Sequence, residues 1–157
     1  MPLTDVAPIV ASIDIDATPA AVWALVSDLR NMSRWSPQCV KTFVRGGGPV
    51  SQGSKLVNVN RRGLLAWPTQ SMVVRFVPET EIAFRVRENW VVWSYRLEPT
   101  ESGGTRLIEG REAPQGISDL SVRLINGVLS GVPSFSEEMH QGMQETLRKI
   151  KAEAEAS

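Results

Sequence analysis

Residues 9 to 26 read IVASIDIDATPAAVWALV, and the reading of this stretch decides the fold. Its first half alternates. Ile9, Ala11, Ile13 and Ile15 fall on one face and Val10, Ser12, Asp14 and Asp16 on the other, the period of a half-buried strand, which we place at Pro8 to Asp16. The second half changes period: Thr18 offers an N-cap hydroxyl, Pro19 fits the first helical position, and Val22, Trp23, Leu25, Val26 and Leu29 follow at helical spacing. This predicts a helix over Pro19 to Ser27. Leu29, Met32 and Trp35 then repeat every three residues until Ser36 and Pro37 stop the chain, so Asp28 to Trp35 reads as a second short helix.

Beyond this helical elbow the pattern turns to short β-like runs: Cys39 to Arg45, Ser54 to Arg61, Thr69 to Val77, Ile82 to Glu88, Val91 to Glu98 and Thr105 to Glu112. Their separators, among them Gly46-Gly47-Gly48-Pro49, Gly63 to Pro68 and Ser102-Gly103-Gly104, are rich in turn residues and too short for parallel crossovers. The expectation is a seven-stranded antiparallel meander with two short helices between strands one and two. The last third is helical. Asp119 to Leu129 carries Leu120, Leu124, Ile125, Val128 and Leu129 on one side and is ended by Gly131 and Pro133. A capping box of Ser134 and Glu137 then opens a helix to Ala156, with Phe135, Met139, Met143, Leu147 and Ile150 as its apolar stripe. At 1.5 Å per residue it is about 30 Å long, enough to cross the sheet.

The chain of 157 residues, 42% hydrophobic, fits one α+β domain over 1–157 with its core at about 8–154. Seventeen Lys and Arg balance 17 Asp and Glu, so no basic field attracts nucleic acid or anionic lipid. One cysteine, Cys39, and one histidine, His140, are too few for a zinc site, and neither a metal nor another cofactor is expected. The start from Met1 to Pro8 lacks the charged and apolar regions of a signal peptide, which points to the cytoplasm. The most apolar stretch, Val122 to Val132, is broken by Arg123, Asn126 and Ser130, so no transmembrane segment is expected.

The order strand, two short helices, six strands and long helix resembles the START-like, helix-grip superfamily, and within it the bacterial polyketide cyclase/dehydrase and lipid-transport group (SRPBCC). Ala17-Thr18-Pro19-Ala20-Ala21-Val22-Trp23 and Trp35-Ser36-Pro37 carry the resemblance at the elbow. Phe84-Arg85-Val86, Leu97-Glu98-Pro99 and Gly104-Thr105-Arg106-Leu107 carry it in the sheet. It covers about Pro8 to Ala154, and it implies a curved sheet gripping the C-terminal helix around a cavity. These motifs specify fold far better than chemistry, because enzymes, carriers and regulators share the fold.

Alternation assigns the inner face: Ile82, Phe84 and Val86, then Trp93, Tyr95 and Leu97, then Leu107, Glu109 and Arg111. Two charges on an apolar face are costly unless paired or hydrated. Glu109 and Arg111 therefore either orient a ligand in a partly wet pocket, or sit at the sheet edge, reach solvent or satisfy each other. Asn58 and Asn60 alternate with Val57 and Val59 and read as solvent-facing, with one inner-facing Asn as the alternative. Phe84, Trp93, Tyr95, Phe135, Met139 and Met143 are the apolar candidates for ligand contact, with Trp35 and Trp67 at the cavity mouth. Arg61 to Pro68 reads either as a gate or membrane- or protein-touching loop, or as an ordinary loop with Leu64 and Leu65 tucked under the sheet. His140 reads as a boundary residue.

Three functions remain open on these grounds. The first is a binder of a small hydrophobic molecule such as a lipid, fatty acid or polyketide-like compound. The second, implied by the resemblance, is an aromatase/cyclase in which Glu109, Arg111 and Tyr95 assist proton transfer. The third is a regulatory or interaction module. Both monomer and homodimer are compatible with the sequence.

Overall fold

The structure is a computed structural model describing residues 8–113 and 132–156, the side chains of 132–136 excepted. β1 (Ile9–Ile15) runs into α1 (Pro19–Val26), which opens as its sequence dictates. The Ala21 N–H donates to Thr18 Oγ1 at 3.2 Å, and Pro19 sits in the first turn, where no backbone donor is needed. The rest of the elbow is a 3-10 turn, Leu29–Asn31, and one α-helical turn, α2 (Met32–Trp35). That tighter winding suits the three-residue repeat of Leu29, Met32 and Trp35. β2 (Cys39–Val44), β3 (Lys55–Arg62), β4 (Leu65–Val77), β5 (Glu81–Val86), β6 (Val92–Pro99) and β7 (Thr105–Glu112) follow, and α3 (Val132–Ala156) ends the described chain. The helix expected over Asp119 to Leu129 lies outside the described residues.

The sheet has the order β1-β7-β6-β5-β4-β3-β2 and is antiparallel throughout. β1 pairs with the last strand, so the elbow must carry the chain from one sheet edge to the other. Register irregularities at Cys39/Lys41 and Val73/Arg75 bend β2 and β4. α3 packs on β1, α1, α2 and β7 through Met143, Leu147, Ile150 and Ala154, all buried. Ile15, Val22, Val26 and Leu107 complete a dense core at that end. Polar ties hold it: Lys151 Nζ donates to the Asp14 carbonyl (2.9 Å), the Asp16 N–H to Glu155 (2.7 Å), and Thr105 Oγ1 to the Ala17 carbonyl (2.8 Å).

Two boundaries differ from expectation. β4 starts at Leu65, not Thr69, because Pro68 does not break it: β5 pairs with β4 only from Ser71 onward, so Pro68 lies where one side of the strand is free and no amide donor is required. α3 begins at Val132, two residues before Ser134, so Ser134 is not its N-cap. Pro133 falls in the first turn, where its missing N–H breaks no helical bond.

Gly104 explains one of the sequence motifs. A Cβ there would stand 2.5 Å from the Ile15 carbonyl oxygen, at the β1–β7 contact. Gly104→Ala is expected to cost about 1–3 kcal/mol in urea unfolding through enforced backbone displacement. Gly48→Ala, where a Cβ meets nothing within 4 Å, is expected to stay within about 0.5 kcal/mol of the parent.

Candidate functional site

The strand register sets the side chains of one face side by side. Phe84 pairs with Trp93, Ile82 with Tyr95, Trp93 with Arg111 and Tyr95 with Glu109. The inner-face assignment for β5, β6 and β7 therefore holds. α3 packs on the β1–β7 end of this face, and among the described residues a cavity of about 590 Å³ lies beside it toward β3–β6. Trp67, Phe84, Trp93, Tyr95, Glu109, Arg111, Met139 and Met143 all line it. The side chain of Phe135 lies outside the described residues.

Trp35 does not line it, against expectation. It is 2% exposed, its indole N–H donates to Glu153 Oε1 (3.2 Å), and its carbonyl accepts from Thr146 Oγ1 (3.4 Å). Trp35 therefore docks the elbow on α3. Trp67 reaches the cavity because β4 extends past Pro68. His140 lies apart, beside Ile9 and Glu137.

Asn58 and Asn60 correct another expectation, because both face the cavity. Thr42 Oγ1 donates to Asn58 Oδ1 (3.0 Å), Asn58 Nδ2 to Ser71 Oγ (3.2 Å), and Asn60 Nδ2 to Thr69 Oγ1 (3.0 Å). On this arm of the sheet the polar residues of the alternation point inward, while Phe43 and Met72, 48% and 43% exposed, point out. Met32, Cys39, Thr69 and Thr146 also line the cavity and were not singled out from the sequence. None of the four carries a local sequence signal of facing.

The β3–β4 hairpin turns at Gly63 and Leu64, with Leu64 fully exposed and Leu65 half exposed, so neither leucine tucks under the sheet. Behind the tip, Arg62 pairs with Glu138 of α3 at 2.8 Å, and both residues border the cavity. A half-exposed ion pair is worth about 0–1 kcal/mol, so this link across the rim opens readily.

Electrostatics single out the deep end. Glu109 is 5% exposed, and burial pushes its carboxyl up to about 8, opposed by the Tyr95 hydroxyl. Glu109 Oε1 is buried with no hydrogen-bond partner. Burial brings Arg111 down to about 10, which leaves it charged at neutral pH, with its guanidinium carbon 5.9 Å from the Trp93 ring centroid. Glu109 and Arg111 stand two residues apart on β7, and both line the cavity. The Tyr95 hydroxyl donates to Met32 Sδ (3.3 Å), and burial, then the neighbouring Glu109, raises it well above 10. Burial likewise pushes the Cys39 thiol up. Among the described residues no group of three or more His, Cys, Asp or Glu is placed to hold a metal ion, and no helix is long and apolar enough to cross a membrane.

The family model for polyketide cyclase/dehydrase and lipid transport matches residues 7–155, and the chain belongs to that family. No curated protein matches it. Among solved structures, a polyketide-cyclase-like protein of Corynebacterium glutamicum is 26% identical over 92% of this chain and 88% of its own, with a TM-score of 0.60. A protein of Chromobacterium violaceum is 17% identical over 96% of this chain and 99% of its own, at a TM-score of 0.69. The di-domain ARO/CYC protein StfQ of the steffimycin biosynthetic pathway is 14% identical, at a TM-score of 0.72, over 95% of this chain and 50% of its own. The chain thus spans half of that protein. The last two share the fold, and the expected helix-grip architecture is the one the chain has.

The Glu109 shift predicts a sign. Its carboxyl ionises near 4.5 in the unfolded chain and near 8 in the folded one, so between these values the folded state holds the extra proton. The associated stability is full below about pH 4.5 and is lost as pH rises to about 8, on the order of 1.4 kcal/mol per pH unit. Urea midpoints measured from about pH 5 to pH 8 should fall more steeply for the parent than for Glu109→Gln, which cannot ionise. A steeper fall in the Gln variant would mean that Glu109 is charged and paired.

Proposed function

We propose that the protein binds a small, mostly apolar molecule in the cavity between sheet and C-terminal helix. The observation that carries this reading is a cavity of about 590 Å³, walled by Trp67, Phe84 and Trp93, with a buried polar end at Glu109. Ligand sites have this size and this mixture of apolar wall and few polar groups. A regulatory or interaction module with a vestigial pocket has no use for so much unfilled apolar space, which dense packing would otherwise remove. Family membership adds support at the level of the group, whose description includes lipid transport.

A second reading is a cyclase or dehydrase, favoured by the convergence of Tyr95, Glu109 and Arg111 at one end of the cavity. Here Glu109 assists proton transfer as a polyketone closes its ring, and Glu109→Gln abolishes turnover while the fold persists. Structural likeness to StfQ is compatible with this reading.

Native mass spectra of freshly purified protein, followed by organic extraction, test the first reading. The expected result is a reproducible hydrophobic adduct. Met139→Trp, which places an indole in the cavity, is expected to lower its occupancy at least about tenfold. No adduct, together with no binding across a panel of fatty acids and aromatic polyketides, would sink it.

A further inference from the structure

The polar side chains around the cavity are satisfied to different degrees. Asn58 and Asn60 are engaged by Thr42, Ser71 and Thr69, and Tyr95 is directed at Met32. Two buried atoms of cavity-lining residues are the exceptions: Arg62 Nη1 at the rim and, at the deep end, Glu109 Oε1, neither of which has a hydrogen-bond partner. A buried carboxyl oxygen in this state is costly, so a partner supplied from the cavity gains more there than at a solvated site.

The charged and titratable groups that share the cavity with Glu109 among the described residues bear on which partner fits. From β7 comes the Arg111 guanidinium, a cation at neutral pH. From β6 comes the Tyr95 hydroxyl and from β2 the Cys39 thiol, both kept neutral by burial. From the rim come Arg62 and Glu138, already paired with each other. An ammonium ligand would add a second cation beside Arg111, whereas an acceptor oxygen can take a hydrogen bond from the protonated Glu109 carboxyl.

We propose that Glu109 is the residue that sets ligand specificity in this cavity, its carboxyl donating a hydrogen bond to a carbonyl or carboxylate oxygen on the head of the ligand. The apolar body of such a ligand lies among Trp67, Phe84 and Trp93. This rests on the binding reading above and adds the chemistry of the head group. Only the protonated carboxyl can donate, so affinity for a neutral carbonyl ligand falls as pH rises past about 8, by up to tenfold per pH unit.

Four probes sharing one apolar body separate the outcomes: acetonaphthone, naphthoic acid, aminomethylnaphthalene and ethylnaphthalene, titrated by calorimetry at about pH 6.5 and pH 9. The parent should bind the ketone and the acid at least about tenfold more tightly than the amine, and the ketone at least about fivefold more tightly than the hydrocarbon. Ketone affinity should drop at the higher pH. Glu109→Leu should close the gap between ketone and hydrocarbon, and Glu109→Gln, which keeps an N–H donor, should preserve the gap while removing the pH dependence. Equal affinity for ketone and hydrocarbon in the parent, or preference for the amine, overturns the proposal and leaves the binding reading standing. Failure of all four probes to bind, alongside no adduct in native spectra, overturns both.

Discussion

The pairing of the first strand with the last is the constraint on which the architecture depends. Because β1 lies beside β7, at the opposite edge from β2, the chain must cross the whole sheet before β2 can start, and α1, the 3-10 turn and α2 make that crossing. The crossing supplies part of the surface on which α3 docks, through Trp35 and Glu153, and β1 with the residue after it supplies the rest, Asp14 accepting from Lys151 and Asp16 donating to Glu155. With α3 held mainly at the β1–β7 end, the described residues leave a cavity beside it over the β3–β6 part of the sheet.

The two arms of the sheet differ in what the sequence revealed. On β5, β6 and β7 apolar residues point inward, and simple alternation assigned Ile82, Phe84, Tyr95, Leu97 and Leu107 correctly. Glu109 and Arg111 follow by the same counting from Leu107, because β7 runs without a bulge against β6. On β2, β3 and β4 the rule inverts. Asn58 and Asn60 face the cavity, while the apolar Phe43 and Met72 face out, so reading apolar as inward turned β3 the wrong way. Trp35 departs for a different reason: its place at a helix end is as compatible with a ligand as with packing, and only the fold shows that it packs on α3. Pro68 concealed four residues of strand because the sequence does not say which side of β4 lacks a neighbour.

Glu109 carries the balance between stability and function. A carboxyl with an unpartnered oxygen on the inner face of a sheet is locally inconsistent with the apolar pattern around it, and such inconsistencies gather at functional sites. A neutral isostere there would be freer of the pH penalty, and an apolar residue would pack without a polar atom to satisfy. Perturbation alone does not separate binding from catalysis, because a cavity built to hold a head group and one built to transform it both desolvate their polar groups.

Protonation states do separate them in part. Ring closure by enolisation needs a group that removes a proton as well as one that donates a hydrogen bond. Tyr95 and Cys39 are held neutral by burial, Glu109 retains most of its protons at pH 7, and Arg111 is a cation. The described deep end at neutral pH is therefore rich in donors and poor in bases. Such an array stabilises a carbonyl or an anion that arrives already formed, which is the task of a binding site. It becomes a proton-abstracting site only as Glu109 ionises, so a cyclase built on these residues would gain activity with rising pH while a carbonyl-binding site would lose affinity. The two readings of the same three side chains thus have opposite pH dependence, set by one carboxyl and its burial.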